Sequence, residues 1–308
     1  MRTIDLTVIG DLNLDVLLEV PRFPTLDDEI EVISRRQMPG GDAANIAAGA
    51  ARLGLNPVLI ARAGVDPDGQ ALVTTLKDTG VDTGYLQWDL DQPTGWSIAM
   101  VRPDGQRNLL SFRGANRGLY LGERQIAAIS ASRWVHLSDP LPWMVGEVAG
   151  VLPPGTRLSL DPGGITAARG IPPLKSILKK TSILFCNQAE LATLTGIPDR
   201  DTAVKALLDK GPETVVVKLG AQGCQVQTAS TSLLAPGFLV QAVDSTGAGD
   251  TFDAAFLTAV LSELPFTEAA RFANAAGALA TLGIGAQSAQ PTRQQLEPFL
   301  NTSKDVNA

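Results

Sequence analysis

The sequence predicts an α/β fold in three layers, with a mostly parallel central sheet between helices and a small β lid beside it. Three observations predict it. Short apolar runs ending in a polar or glycine-rich turn recur along the 308 residues, helix-length amphipathic segments separate them, and two stretches of short alternating pattern break the rhythm. Strands alternating with helices imply βαβ units, whose right-handed crossovers make successive strands parallel and cover both faces of the sheet.

The apolar runs are IDLTVIGD (4–11), PVLIARAG (57–64), WVHLSD (134–139), RLSLDPGG (157–164), SILFCNQAE (182–190) and TVVVKLGAQG (214–223). Between them AANIAAGAARLG (43–54), DGQALVTTLKDTG (68–80) and DTAVKALLDKG (201–211) place apolar residues every third or fourth position, and each closes on the glycine expected just past a helix. FLVQAV (238–243) reads as a further strand leading into a helix on which Phe252, Phe256, Ala259 and Val260 share helical spacing. Ligands gather beyond the carboxyl ends of parallel strands. There the sequence places Asp11, Ser138, Asp161, Asn187, Glu190, Lys218 and Gly220. The irregular stretches, about 12–38 and 92–113, read as hairpins of a lid, the second around a Pro-Asp-Gly turn at 103–105. Without a repeat or long linker, residues 1–308 are expected to form a single domain, with only the tail NTSKDVNA frayed.

Composition narrows the class. The chain is 44% hydrophobic and 19% charged with net charge −7 and no basic run, which excludes a nucleic-acid partner. No apolar stretch reaches the roughly 18–20 residues of a membrane span. The start MRTIDLTVIGD lacks the pattern of a secretory signal, so a cytoplasmic protein without a membrane partner is expected. Cys186 and Cys224 sit in apolar segments and read as buried thiols, and His136, the single histidine, reads as structural.

Chemistry concentrates in VDSTGAGDTFDAAF (243–256). Gly247, Ala248 and Gly249 fall at the start of a helix, where backbone N–H groups lack acceptors and carry about half a positive charge. Small side chains let an anionic group approach those amides. No G-x-x-x-x-G-K-[ST] string accompanies them, and Phe252 stands where a dinucleotide-binding G-x-G-x-x-G needs its third glycine. Asp250 would repel a resting phosphate. As a general base it could take a proton from an attacking hydroxyl while the amides stabilise charge on the transferred group. An acid-capped helix start is the alternative.

DSTGAGDTFDAAF resembles the C-terminal signature of the ribokinase-like (PfkB) carbohydrate kinases, and GGDAANIAAGAARLG (40–54) resembles their N-terminal signature. ARAGVDPDGQ, LKDTGVDT, PTGWSIAMV, RGAN, NQAELATLTG, VVVKLGAQGC and FANAAGALATLGIGAQ continue the resemblance in family order, from about residue 4 to 300. It implies a ribokinase-like fold and transfer of the γ-phosphate of ATP to a hydroxyl of a small carbohydrate of the ribose, fructose or ketodeoxy sugar acid class. By position it implies Asp250 as catalytic base and Gly247, Ala248 and Gly249 as the anion hole.

Asn187 and Glu190 match the family's N-x-x-E, which implies a part in organising Mg2+ and the phosphates, for Glu190 through water; a helix-start acid is the plain alternative. Lys218, Gly220, Gly223 and Asn274 fall where the family contacts the nucleotide, Asn274 near the adenine. Gly220 and Gly223 also suit a tight strand-to-helix turn. Asp244 and the carbonyl of Thr246, with the loop around Gly285, resemble a monovalent-cation site and make K+ a candidate cofactor. For the acceptor, Asn13 and Asp15 follow the first strand, and Gly40, Gly41 and Asn45 open the first amphipathic helix; amide and carboxylate groups pair with vicinal hydroxyls, and glycines permit close approach. Arg107 either reaches an acidic sugar or decorates a lid strand.

Two positions depart from ribokinases, which usually carry lysine where Asp42 stands and often glutamate near Ser138. Both speak against ribose itself as the sugar. A nucleoside kinase would use aromatic residues of the lid such as Trp96 and Phe112. A non-catalytic sugar or nucleotide sensor would have no need of Asp250 and N-x-x-E. Pairing of lids would make a homodimer.

Overall fold

The computed structural model describes residues 3–302. Its central sheet has eight strands: β1 (Ile4–Ile9), β4 (Pro57–Ile60), β9 (Ser132–Ser138), β10 (Arg157–Asp161), β11 (Ile183–Asn187), β12 (Thr214–Lys218), β13 (Cys224–Thr228) and β14 (Ser232–Ala235). From edge to edge they run β14-β13-β12-β11-β10-β9-β1-β4. Pairing is parallel from β12 to β4 and antiparallel from β12 to β14.

The middle strand β11 is apolar on both faces because helices cover both, whereas β9 and β10 each bury a partly polar face that carries His136 and Ser159. In β11, Ile183 and Phe185 enter one core cluster while Leu184 and Cys186 enter the other. The first cluster packs beneath the helices Asp42–Arg52, Pro67–Thr79, Ala248–Leu261 and Phe266–Ala280, and the second beneath Glu123–Ala131, Pro142–Val151, Gln188–Thr195 and Arg200–Leu208. Both cysteines are free and buried. His136 is fully buried, with Nδ1 against Ser159 Oγ at 2.8 Å, and desolvation lowers it to about 4.

A second sheet of four strands, in the order β3-β2-β7-β8, is built from β2 (Asn13–Glu19), β3 (Ser34–Gly40), β7 (Gly95–Val101) and β8 (Arg107–Phe112). β2–β3 and β7–β8 are antiparallel pairs joined by a parallel β2–β7 ladder. Alternation along the strands puts Asp15, Met38, Ser97 and Ser111 in one cross-strand row. A third sheet pairs β5 (Arg62–Gly64) with β6 (Gln87–Asp89).

Three expectations are corrected. The run 57–64 is two strands, because beyond Ile60 the chain leaves the open edge of the large sheet and β5 pairs with β6. FLVQAV forms no strand: it finds no partner ladder, Leu239 is 74% exposed, Phe238 packs on Phe299, and the amides of Val243 and Asp244 bond to Thr281 O instead. Gly220 and Gly223 lie in a turn from strand to strand, since β13 folds back antiparallel on β12 where a helix was expected. The tail NTSKDVNA lies outside the described residues from 303 onward.

Candidate active site

The carboxyl ends of β1, β9, β10 and β12 converge under the start of the Ala248–Leu261 helix, and the four-stranded sheet stands over them. A cavity of about 1120 Å³ separates the two, lined by Asp11, Asn13, Asp15, Gly41, Asp42, Asn45, Arg107, Asp244, Thr246, Gly247 and Asp250 among others. The structure thus brings Asp250 together with most of the acceptor residues read from the sequence. Gly40 lies just behind this wall, where a Cβ would overlap the Asp15 carboxylate; a side chain there and Asp15 in its present place are mutually exclusive.

The helix start has the form that anion binding needs. Gly247 is the N-cap with φ 73°, a left-handed conformation that favours glycine, and its missing Cβ would lie 2.6 Å from Ala286 Cα. Among the described residues no backbone or side-chain acceptor meets the amides of Gly249 and Asp250. Asn45 Nδ2 donates to Asp250 Oδ2 at 2.8 Å. Asp250 opens to the cavity on one side, yet desolvation by the surrounding protein pushes it up to about 7 against the opposing pull of Asn45 and Lys218.

Asp250 belongs to a crowd of carboxylates. Asp42 is held well above the usual range, first by the neighbouring Asp250, then by burial and by Asp11, Asp139 and Asp161. Burial also raises Asp11, and pushes Asp139 and Asp15 to about 6. Positive charge enters at two points. Arg113 donates to Asp139 at 2.6 Å. Lys218 Nζ meets Asp161 Oδ2 at 2.7 Å and Asp253 Oδ2 at 3.0 Å, and lies 3.5 Å from the Cβ position of Gly249.

Lys218 is therefore the hub of a buried ionic group as well as a neighbour of the helix start. Burial works against its charge, but Asp161 and Asp253 hold its pKa well above the ordinary lysine value. Burial raises Asp161, but Lys218 and its other hydrogen-bond partners together lower it further, whereas burial keeps Asp253 well above the carboxylate range. The same lysine thus favours the charged form of Asp161, while burial favours the neutral form of Asp253.

On the acceptor side, Asp15 Oδ1 accepts from Ser97 Oγ at 2.5 Å. Asn13 Nδ2 donates to Asp11 Oδ2 at 2.5 Å, and its Oδ1 accepts from Asn116 Nδ2 at 2.8 Å. Arg107 is exposed on β8 and lines the cavity at its lid side.

The remaining sequence-derived residues lie outside that cavity's wall. Asn187 and Glu190 form a capping box on the Gln188–Thr195 helix: Asn187 N donates to Glu190 Oε2 at 2.8 Å and Glu190 N to Asn187 Oδ1 at 2.9 Å. Asn274 Nδ2 donates to the carbonyls of Ala235 and Pro236 at 3.2 and 3.0 Å, pinning the segment after β14. Within the wall, Asp244 accepts from Thr246 N at 2.9 Å and Gly285 N at 2.9 Å, closing the loop that carries Gly247; burial opposes its charge, but these bonds hold it below the usual carboxylate value. Among the described residues no group of three or more acidic, histidine or cysteine side chains is arranged to hold a metal.

A model of the pfkB family carbohydrate kinases matches residues 3–293. The chain belongs to this family. It is a phosphotransferase with a carbohydrate alcohol as acceptor. A ribokinase of Haemophilus influenzae is 34% identical over 305 residues, covering 96% of this chain and 98% of the relative. An ATP-dependent ribose-1-phosphate kinase of Halopiger xanaduensis is 34% identical over 297 residues, covering 96% and 98%. Among solved structures, Arabidopsis thaliana ribokinase complexed with ribose and ATP superposes with a TM-score of 0.90 at 30% identity, covering 98% of this chain and 100% of that one. The ribokinase-like fold expected from the sequence is thus present, and no helix among the described residues is long and apolar enough to cross a membrane.

Sequence reading missed several residues that shape the site. Asn116 was visible only as part of RGAN, and Arg113 and Ser97 as parts of the lid stretch; their partners lie 26 to 103 residues away and are joined by tertiary contacts alone. Asp253 did carry a signal: it is a carboxylate three residues after Asp250 in an otherwise apolar run, and such a group needs a buried partner.

Proposed function

We propose that this protein transfers the γ-phosphate of ATP to a hydroxyl of a ribose-class sugar, with Asp250 as the general base. The observation that carries the reading is the placement of Asp250: its carboxylate lies between bare helix-start amides on one side and the Asn13–Asp15 acceptor wall on the other. Asp15 and Asn13 exchange hydrogen bonds with the sugar's hydroxyls. Ionised Asp250 takes the proton from the hydroxyl that attacks, and the amides of Gly249 and Asp250 stabilise charge on the phosphoryl oxygens. Lys218, beside Gly249, adds positive potential at the same point.

Magnesium bound with the nucleotide would neutralise phosphate charge. The donor set fits an ion carried mostly by phosphates and water, because Glu190 is already used as a helix cap and no carboxylate cluster encloses a metal among the described residues. K+ would be held at the loop of Asp244, Thr246 and Gly285, which Asp244 closes by accepting from Thr246 N and Gly285 N. The four-stranded sheet acts as a lid that excludes water, which would otherwise compete as acceptor. Edge strand β8, with exposed Leu110, is the surface through which two lids would pair.

The Trp96–Phe112 stack, with ring centroids 5.5 Å apart, also lines the cavity and favours a second reading in which the acceptor is a nucleoside. An ADP-release screen of pentoses, sugar phosphates, hexoses, sugar acids and nucleosides separates the two. Asp250→Asn should lower kcat on the best acceptor by a factor on the order of 10²–10⁴ while ATP still binds. Near-normal turnover in that variant would sink the assignment.

A further inference from the structure

Asn45 has two jobs in this structure and a third residue decides how it does them. Its Nδ2 donates to Asp250, while its Oδ1 accepts from Gln287 Nε2 at 3.0 Å and its backbone carbonyl accepts from Gln290 Nε2 at 2.8 Å. Asn45, Gln287 and Gln290 are 3, 4 and 2% exposed, so no bulk solvent substitutes for these bonds. A primary amide presents a donor on one edge and an acceptor on the other. The donor from Gln287 and the Asp250 carboxylate favour the same setting of the Asn45 amide; turned over, it would set a carbonyl oxygen against a carboxylate on one side and an N–H against an N–H on the other. The same segment, 284–290, supplies Gly285 N to Asp244 and Ala286 to the contact with Gly247.

We propose that Gln287 is a positioning residue for phosphoryl transfer, fixing through Asn45 the direction in which the Asp250 carboxylate is held. The proposal rests on the kinase reading above with Asp250 as base. Four charged groups face Asp250: Asp11 after β1, Asp42 on the Asp42–Arg52 helix, Asp161 at the end of β10 and Lys218 at the end of β12. The segment 284–290 contributes no titratable group, so a change at Gln287 reaches Asp250 through the amide of Asn45.

The test compares Gln287→Glu with Gln287→Met in the full-length protein, reading kcat against pH, KM for ATP and thermal melting. In Gln287→Glu a carboxylate accepts where the glutamine amide donated; Asn45 turns over, and its carbonyl and the new charge both disfavour ionised Asp250. The share of the shift that is lost in an Asn45→Ala background is the part carried by the amide. The acid limb of the kcat profile should move to higher pH, with kcat at pH 7 down on the order of tenfold and KM for ATP within about threefold of wild type. Gln287→Met releases Asn45 without reversing it and should lower kcat by a smaller factor with little shift of the limb. In an Asn45→Ala background Gln287→Met should have no further effect on kcat, as two residues acting through one another are non-additive. An acid limb unmoved in a folded Gln287→Glu variant, or a full additive loss from Gln287→Met in the Asn45→Ala background, overturns the proposal while leaving the kinase reading intact. Wild-type protein without turnover on any acceptor sinks the kinase reading and the positioning role with it.

Discussion

The floor of the cavity and the sheet above it are held by different forces. On the floor, side chains from β10, β12, two helices and the late loop bond to one another across long stretches of sequence: Lys218 to Asp161 and Asp253, Asn45 to Asp250 and Gln287. The four-stranded sheet is held by its own ladder; its residues are at most half-buried over most of β2 and β7, and β8 is exposed along its length. On the function proposed above, the floor would hold partners that do not move when charge develops and the sheet would admit the substrate, so the two demands would be separated in space.

The largest expected effect comes from breaking the floor. Lys218→Met leaves ionised Asp161 without its counter-charge and should destabilise the fold by about 3–5 kcal/mol in urea titrations. If the loss is no greater than that of a lid substitution, the two regions do not differ as described. On the lid, Asp15→Asn removes an ionised acceptor without removing bulk. It should raise KM for the sugar by a factor of about 10–100, leave KM for ATP nearly unchanged, and change the urea midpoint little.

Much of this arrangement was legible in the sequence and some could not be. Strand–helix alternation, the polar strand ends and the hairpin at 103–105 follow from local periodicity; the family signatures singled out Asp250 and Asn45, the end of the first strand singled out Asp15, and all three line one cavity. The Asp161–Lys218–Asp253 group was hidden because its members are 57 and 35 residues apart, and only the parallel register of β10 to β12 sets two strand ends against one face of the Ala248–Leu261 helix. FLVQAV was misread for the opposite reason: its apolar pattern is local, while the missing neighbouring strand is not.

The smallest effect is one of pH. Burial pushes Asp250 up to about 7, so if it is the base and acts when ionised, kcat should fall about tenfold for each pH unit below that value and level off above it. A profile flat from about pH 5 to 8 would show that the nucleotide-bound floor holds Asp250 ionised more strongly than its own partners do.

The contact between Asn45 and Gln287 spans 242 residues, and Gly247 meets Ala286 only when the same late segment is in place. Translation runs from the amino terminus, so Asn45 leaves the ribosome 242 residues ahead of Gln287, and neither contact can form until the late segment has been made.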